Sequence, residues 1–362
     1  MPNRYWVGGT ADWNATAGTK WSLTSGGTGD QAVPIAADDV FMDAASGTVT
    51  VTVATVTGVC RSFNATGFTG SLVISAELDI GDGTVGHFTL GSGMGTVTGV
   101  NIVKFISTAT GNNITTNGIT IATYVRFNGV GGSWTLQSAL TQTVNTDVTV
   151  TNGTLNTNGY SLTCVTLSHD GVGATITLGA STVTVTGTGS VVAFASGGTF
   201  NVNTGTFSIT DTSATQKAFA GGGYTFGTVN ITGGGTGIVL YQNSSTFSNF
   251  PQITGGTKNV RFTAGTTQTF TAGTSFGNGS NLITIDTQTA ASAATLSKAT
   301  GVVSCTSLSL KDNTATGGAT WYAGATPPSI DNTGNTGWTF AAEPVPASGN
   351  GVQQNSILLG VG

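Results

Sequence analysis

Ile231-Thr232-Gly233-Gly234 returns as Ile253-Thr254-Gly255-Gly256, an offset of 22 residues, and Thr225-Phe226 returns as Thr246-Phe247 and again as Thr269-Phe270. An offset near this value is the length of one coil of a parallel β-helix. Such a coil holds two or three short strands with turns between them, and stacking coil on coil buries a continuous apolar interior. The strands themselves are legible. Thr48-Val49-Thr50-Val51-Thr52-Val53 alternates strictly and so puts Val on one face and Thr on the other. Similar pieces recur at Val100–Phe105, Asp147–Val150, Thr182–Val185 and Ser307–Leu310. Between them lie Asn117-Gly118, Asn152-Gly153, Asn158-Gly159 and Gly221-Gly222-Gly223, residues that supply the positive φ of tight corners.

Composition agrees with this pattern. Charged residues are 7% of the 362, against roughly 25% in ordinary soluble domains, while hydrophobic residues are 38% and Gly contributes 56. Enough apolar side chain is present to bury a core, and the β-branched residues suit a pleated strand. Glu occurs only at Glu77 and Glu343, and no stretch carries helix formers at helical spacing. The expected fold is therefore all-β, a right-handed parallel β-helix or β-solenoid with an N-terminal cap. Because the repeat is imperfect, an array of antiparallel β-sandwich domains stands as the alternative.

Four segments are expected. Residues 1–46 form a Trp-rich cap or attachment segment around Trp6, Trp13 and Trp21, with the acidic pair Asp38-Asp39; terminal repeats of a stack are atypical because they must close its apolar end. Residues 47–325 form the solenoid body, a rod roughly 60 Å long at a rise of about 4.8 Å per coil. Residues 326–340 form a C-terminal cap. Residues 341–362 form a Pro-containing linker followed by the apolar tail Asn355–Gly362, read either as a strand closing the last coil or as a segment added to a partner's sheet.

A net charge of −5 carried with only 10 scattered Lys and Arg leaves no stripe for phosphate neutralisation. Nucleic acid is not an expected partner, and neither is an anionic membrane surface. No apolar run approaches the roughly 20 residues that span a bilayer. The opening Met1–Trp6 lacks the apolar stretch of a secretory signal, so export by the general pathway is not expected. Cys60, Cys164 and Cys305 are an odd number lying far apart, and read as buried small apolar residues.

Tyr5-Trp6-Val7-Gly8-Gly9-Thr10, Trp13, Trp21-Ser22, Ser25-Gly26-Gly27, Val33-Pro34 and Ala37-Asp38-Asp39-Val40-Phe41 together resemble a segment common in tailed-phage virion structural proteins. Leu310-Lys311-Asp312, Gly317–Gly324 and Asn335-Thr336-Gly337-Trp338 resemble the closing segment of the same group. The resemblance covers about the first 45 and last 50 ordered residues, with compositional similarity between. It implies a particle component in the range of tail fibres, tailspikes and head decorations, located on the virion, often β-helical and often a homotrimer. Its partners would be other virion proteins and a host surface glycan or receptor. Nothing catalytic is carried over.

The chemistry carried by individual residues is sparse. A depolymerase needs two carboxylates about 5 to 9.5 Å apart across a glycosidic bond. Glu77 and Asp79, two apart on an expected strand and so on one side of it, are the best pair, with Asp82 close behind; the bland alternative is that all three are solvated residues entering a turn. Asp38, Asp39 and Asp43 could offer oxygens to Ca²⁺ but lack a calcium-loop pattern, which favours turn chemistry in the cap. His87 and His169 lie 82 positions apart without ligand-spaced partners, so neither a metal site nor a cofactor is expected. Trp321, Tyr322 and Trp338 form a late aromatic cluster able to stack on sugar or anchor an interface, or simply to cap the stack. Thr-x-Thr runs raise ice binding, but that needs a flat array repeated at every coil, and the runs drift in register along the sequence. The expected function is a non-enzymatic structural or adhesion protein.

Overall fold

The computed structural model describes residues 2–15, 18–143, 147–233, 235–254, 256–276, 281–324 and 327–344. The chain is a parallel β-solenoid of about 13 turns with 48% of residues in strands. Among the described residues the one helical element is the single 3-10 turn Ala44–Ser46, capped by Asp43.

Short strands stack on three faces. Face one starts with Asn3–Trp6, Asp39–Phe41, Ser62–Asn64, Phe88–Thr89 and Asn112–Thr115 and runs to Thr199–Asn201; it resumes from Thr225–Phe226 to Asn313–Thr316. Face two includes Ala11–Asp12, Thr50–Val53, Ser71–Ile74 and later Leu162–Cys164, Thr182–Val185 and Thr206–Ile209. Face three runs from Gly58–Cys60 and Leu78–Ile80 to Leu308–Leu310 and Ile330–Asp331.

The sequence repeats are neighbours in this ladder. Ile231 pairs with Ile253, and Phe226 with Phe247 and then Phe270. Turn length varies around the expected value, from 17 residues between Trp321 and Trp338 to 28 between Thr267 and Thr295, and to 40 at the first rung between Ala11 and Val51. Longer turns place extra residues in corners while the paired strands keep register.

Pairing between successive turns is parallel throughout the named strands, which overturns the sandwich alternative. The antiparallel pairing is local: Trp21–Ser22 folds back on Asn3–Trp6, with Trp6 opposite Trp21. Stacked rungs extend into both end segments. Asn3–Trp6 already pairs in parallel with Asp39–Phe41, and Ala11–Asp12 with Thr50–Val53, so these strands form the first rung, and Trp21–Ser22 folds back over it. At the far end Ile330–Asp331, Thr336 and Trp338–Thr339 each pair with the rung below and form the last rung among the described residues. Parallel pairing satisfies backbone N–H and C=O groups that a loose cap would leave at the open edge. Ala341–Pro344 are exposed, and the tail Asn355–Gly362 lies outside the described residues.

Inside the coils, residues in register stack along the axis. Phe63 and Phe88 stack in register on face one at 5.5 Å and Phe105 and Phe127 on face three at 5.0 Å, while Phe88 meets Phe105 edge-on across the interior at 5.4 Å. Phe226, Phe247 and Phe270 form a column, at 5.6 and 6.0 Å. The in-register distances follow the strand spacing of about 4.8 Å, and each buried ring contributes about 1.5–3 kcal/mol of transfer free energy. Between the columns the interior is aliphatic, with Val150, Leu155, Leu167 and Ile176 fully buried. Corners need residues without a side chain. Gly153 sits at φ +82°, and a Cβ there would lie 2.5 Å from the Gly129 carbonyl oxygen of the preceding turn.

Candidate functional site

The carboxylates singled out for catalysis are already engaged. Asp79 lies in register with Lys104 on the next rung of face three. The Lys104 ammonium bridges both carboxylates, 2.7 Å from Glu77 Oε2 and 3.1 Å from Asp79 Oδ1. Burial holds Asp79 above the usual carboxylate range, opposed by its bond to Lys104 and reinforced by the charge of Glu77. Burial alone would depress the Lys104 ammonium, but its bonds to the two carboxylates outweigh it and the net shift is upward. Asp82 does not join them. Its Oδ1 accepts from the Thr84 backbone N–H and hydroxyl, both at 2.7 Å, and closes the turn. The Lys104 ammonium thus joins the two carboxylates in an ion-pair cluster, and Asp82 belongs to the turn beside it.

The N-terminal residues close the stack. Trp6, Trp13 and Trp21 are fully buried, with Trp21 edge-on to Trp6 at 5.0 Å and to Trp13 at 4.9 Å. Trp21 Nε1 donates to Trp13 O at 3.1 Å. Their burial makes them packing residues, with no ring surface left for attachment. Asp38, also fully buried, accepts from the Ile35 N–H at 3.0 Å and pairs with Arg4 at 3.2 Å. Asp39 pairs with Arg61 of the next turn. Guanidinium groups thus occupy the positions a cation would take, and no group of three or more His, Cys, Asp or Glu able to hold a metal exists among the described residues.

The late aromatics do not form one binding surface. Trp321 is 2% exposed, packed edge-on to Trp338 at 5.0 Å and donating from Nε1 to Thr316 O, so it is core. Tyr322, the next residue of the same strand, faces outward between Ser304 and Thr339. His169 is buried, its Nε2 3.0 Å from Ala174 O, beside Phe194 and Tyr224. The three cysteines are buried and free, as expected.

Small polar residues, rather than Thr-x-Thr runs as such, keep register over several rungs. Ser133/Thr135, Thr154/Asn156, Thr175/Thr177 and Thr199/Asn201 lie over one another on four successive rungs of face one. On face two Thr52 pairs with Val73, which ends the first Thr column, and a second column runs through Thr141, Thr163, Thr184 and Ser208.

Two features escaped the sequence reading. Lys217 and Lys258 belong to inward-facing positions, 2% and 3% exposed, where Lys217 meets Asp211 at 2.8 Å and Lys258 donates to the carbonyls of Gly233 and Gly235. A lysine four residues from a turn gives no hint of pointing inward.

The other is a groove of about 580 Å³ on face one, near the N-terminal end. Phe41, Asn64, Thr89 and Thr115 lie in register on the outer surface, and Gln137 follows on the next rung, its N–H donating to Ile114 O. Large side chains thus stand at the two ends and small ones between, which is why the surface is hollow there. One side is a second column, Asp39, Ser62, His87 and Asn113. His87 N donates to Ser62 Oγ and Asn113 N donates to His87 Nδ1, both at 3.1 Å. Gln137 Nε2 donates to Asn113 Oδ1 at 3.1 Å. Behind Phe41, the Tyr5 ring stacks on it at 4.8 Å and 18°. No known protein family matches the chain, and no curated protein or solved structure does either.

Proposed function

We propose that this chain is a non-enzymatic structural and adhesion protein of a virion, of the tail-fibre or tailspike kind, acting as a homotrimer on the particle surface. The resemblance of its first and last segments to virion proteins supplies the setting. The observation that carries the reading is the engagement of Glu77 and Asp79 by Lys104 on a wall of parallel strands about 13 turns long. A rod of this kind resists bending and proteolysis because nearly every backbone group in it is paired. Ladders of Thr, Ser and Asn along its outer columns do this without the desolvation cost of buried ion pairs.

Gold-labelled antibody against the chain, viewed by electron microscopy on intact particles, tests it. Label at tail tips is the expected result. Even label over the head would replace the fibre reading with a decoration protein, and unlabelled particles would end the virion assignment. A monomeric mass in native mass spectrometry would remove the trimer.

Ice binding is a second reading, favoured by the four aligned rungs from Ser133 to Asn201. Those columns mix Thr with Ser and Asn, and the face-one ladder is interrupted after them. No thermal hysteresis is expected from the purified chain.

A further inference from the structure

We infer that the face-one groove between Phe41 and Gln137 binds a neutral oligosaccharide. This deepens the adhesion reading and rests on it for its biological setting.

The argument starts from shape. Five rungs separated by about 4.8 Å put Phe41 and Gln137 roughly 19 Å apart along the axis. The intervening Asn64, Thr89 and Thr115 are short and polar. The volume of about 580 Å³ falls in the range of sites for small ligands. A linear chain of a few sugar rings fits a channel of this form, long in one direction and open along its side.

Chemistry narrows the ligand further. A pyranose presents an apolar C–H face and a rim of hydroxyl groups, so it needs one aromatic wall and a row of mixed donors and acceptors. The Phe41 ring supplies the wall. Tyr5 stacks behind it, with its partner on the neighbouring rung, and holds the ring at a fixed tilt. Along the groove the amides of Asn64, Asn113 and Gln137 and the hydroxyls of Thr89 and Thr115 each offer both a donor and an acceptor. His87 accepts the Asn113 N–H at Nδ1, which leaves a proton on Nε2 of the neutral ring as a further donor. The side chains are already positioned by the backbone ladder and by one another, so little ordering is lost on binding.

Charge selects against acidic glycans. The one cation lining the groove, Arg61, is matched by Asp39, to which its guanidinium is hydrogen-bonded, and its Nη1 donates to Val85 O. The pair leaves no net field to attract a carboxylate or sulfate. Asp39 Oδ1 and Arg61 Nε have no hydrogen-bond partner, and a sugar hydroxyl is the kind of group that could engage either one after a small side-chain shift.

The test is a printed array of neutral and acidic glycans probed with the full chain, followed by titration of the strongest neutral hit. His87 and Gln137 are exposed and Phe41 is half-buried on the outer surface. His87→Ala, Gln137→Ala and Phe41→Ser should each weaken binding roughly ten-fold, a loss of the size expected for one stacked ring or bidentate polar contact. Val130→Ser, at an exposed site outside the groove, should leave it unchanged. If Phe41→Ser fails to fold, the two exposed variants still decide the matter. No neutral glycan bound on the array, preferential binding of acidic glycans, or affinity that His87→Ala and Gln137→Ala both leave intact would overturn the proposal. A chain located on a particle but binding no glycan would sink the groove and leave the structural role standing; sugar binding by a chain absent from particles would do the reverse.

Discussion

Lys217 Nζ lies 2.8 Å from Asp211 Oδ1 in the corner between faces two and three, with only 3% of the lysine side chain exposed. Lys217 also donates to Ser213 O at 2.5 Å, and Ser213 donates back to Asp211 from both its N–H and its hydroxyl. Burial would raise the Asp211 pKa, but the bonds from Lys217 and Ser213 outweigh it and hold the carboxyl below its ordinary range. Removing the carboxylate strands a buried ammonium. Asp211→Asn should therefore destabilise the chain by about 3 kcal/mol at neutral pH. A group with a depressed folded pKa stabilises above its unfolded value of about 3.9 and loses that contribution as pH falls through the folded value. The difference between wild type and Asp211→Asn should accordingly shrink below about pH 3.9, read as converging urea midpoints.

Trp21 seals the first rung, so its removal tests whether the rod opens from the end. Trp21→Ala should cost about 3–5 kcal/mol, the range for deleting a large buried ring. In a stack where each turn contacts only its neighbours, the loss should stay local. Hydrogen exchange is expected to show lost protection from Asn3 to Asn64 with little change beyond Phe226. Uniform loss along the chain would mean that the solenoid unfolds as one cooperative unit.

What was legible in the sequence follows from how information is distributed along a coil. Val51 and Val53 point inward as the alternation of Thr48–Val53 predicts, and the strand itself is Thr50–Val53. Asn117-Gly118 and Asn158-Gly159 adopt positive φ at both residues, so each turn was readable in two letters. Such features depend on neighbours within six positions. The groove does not. Phe41, Asn64, Thr89, Thr115 and Gln137 come together only through register, and each step spans a turn whose length varies, so a small error in counting moves every later residue to another column. The pairing of Lys104 with Glu77 and Asp79 was hidden for the same reason. The pairing of the first rung is not legible in the sequence because its strands are separated by the Trp21 loop and carry no repeat.

The thiols offer a check on the interior that needs no substitution. Cys60, Cys164 and Cys305 are at most 2% exposed. Burial pushes the Cys305 thiol up to about 12. It raises Cys60 and Cys164 further, helped at Cys60 by Asp39, Asp79 and Asp38 and at Cys164 by Asp147. Since the thiolate is the reactive form, a disulfide reagent at pH 8 should leave the native chain unmodified and label all three cysteines after denaturation. Rapid labelling of one cysteine in the native chain would identify a part of the stack that opens.

Lys104 decides between a structural and a catalytic reading of Glu77 and Asp79. In a glycosidase the two acids act on substrate, and replacing either abolishes turnover. Here Glu77→Gln and Asp79→Asn should change no activity, with no fall in polysaccharide viscosity and no new reducing ends from the wild type or either variant. Lys104→Met should instead show itself in stability. It leaves two carboxylates facing each other, with Asp79 16% exposed and already held above its ordinary pKa by burial. A carboxyl whose folded pKa is raised makes the native state bind more protons than the unfolded one, so stability falls as pH rises from about 3.9 through the folded value. Loss of the cation widens that window. Lys104→Met should match wild type near pH 3 and be weaker by about 1–2 kcal/mol at pH 7, and Lys104→Met combined with Asp79→Asn should recover most of the difference. A variant equally weak at both pH values would show that the lysine contributes through packing of its stem rather than through charge.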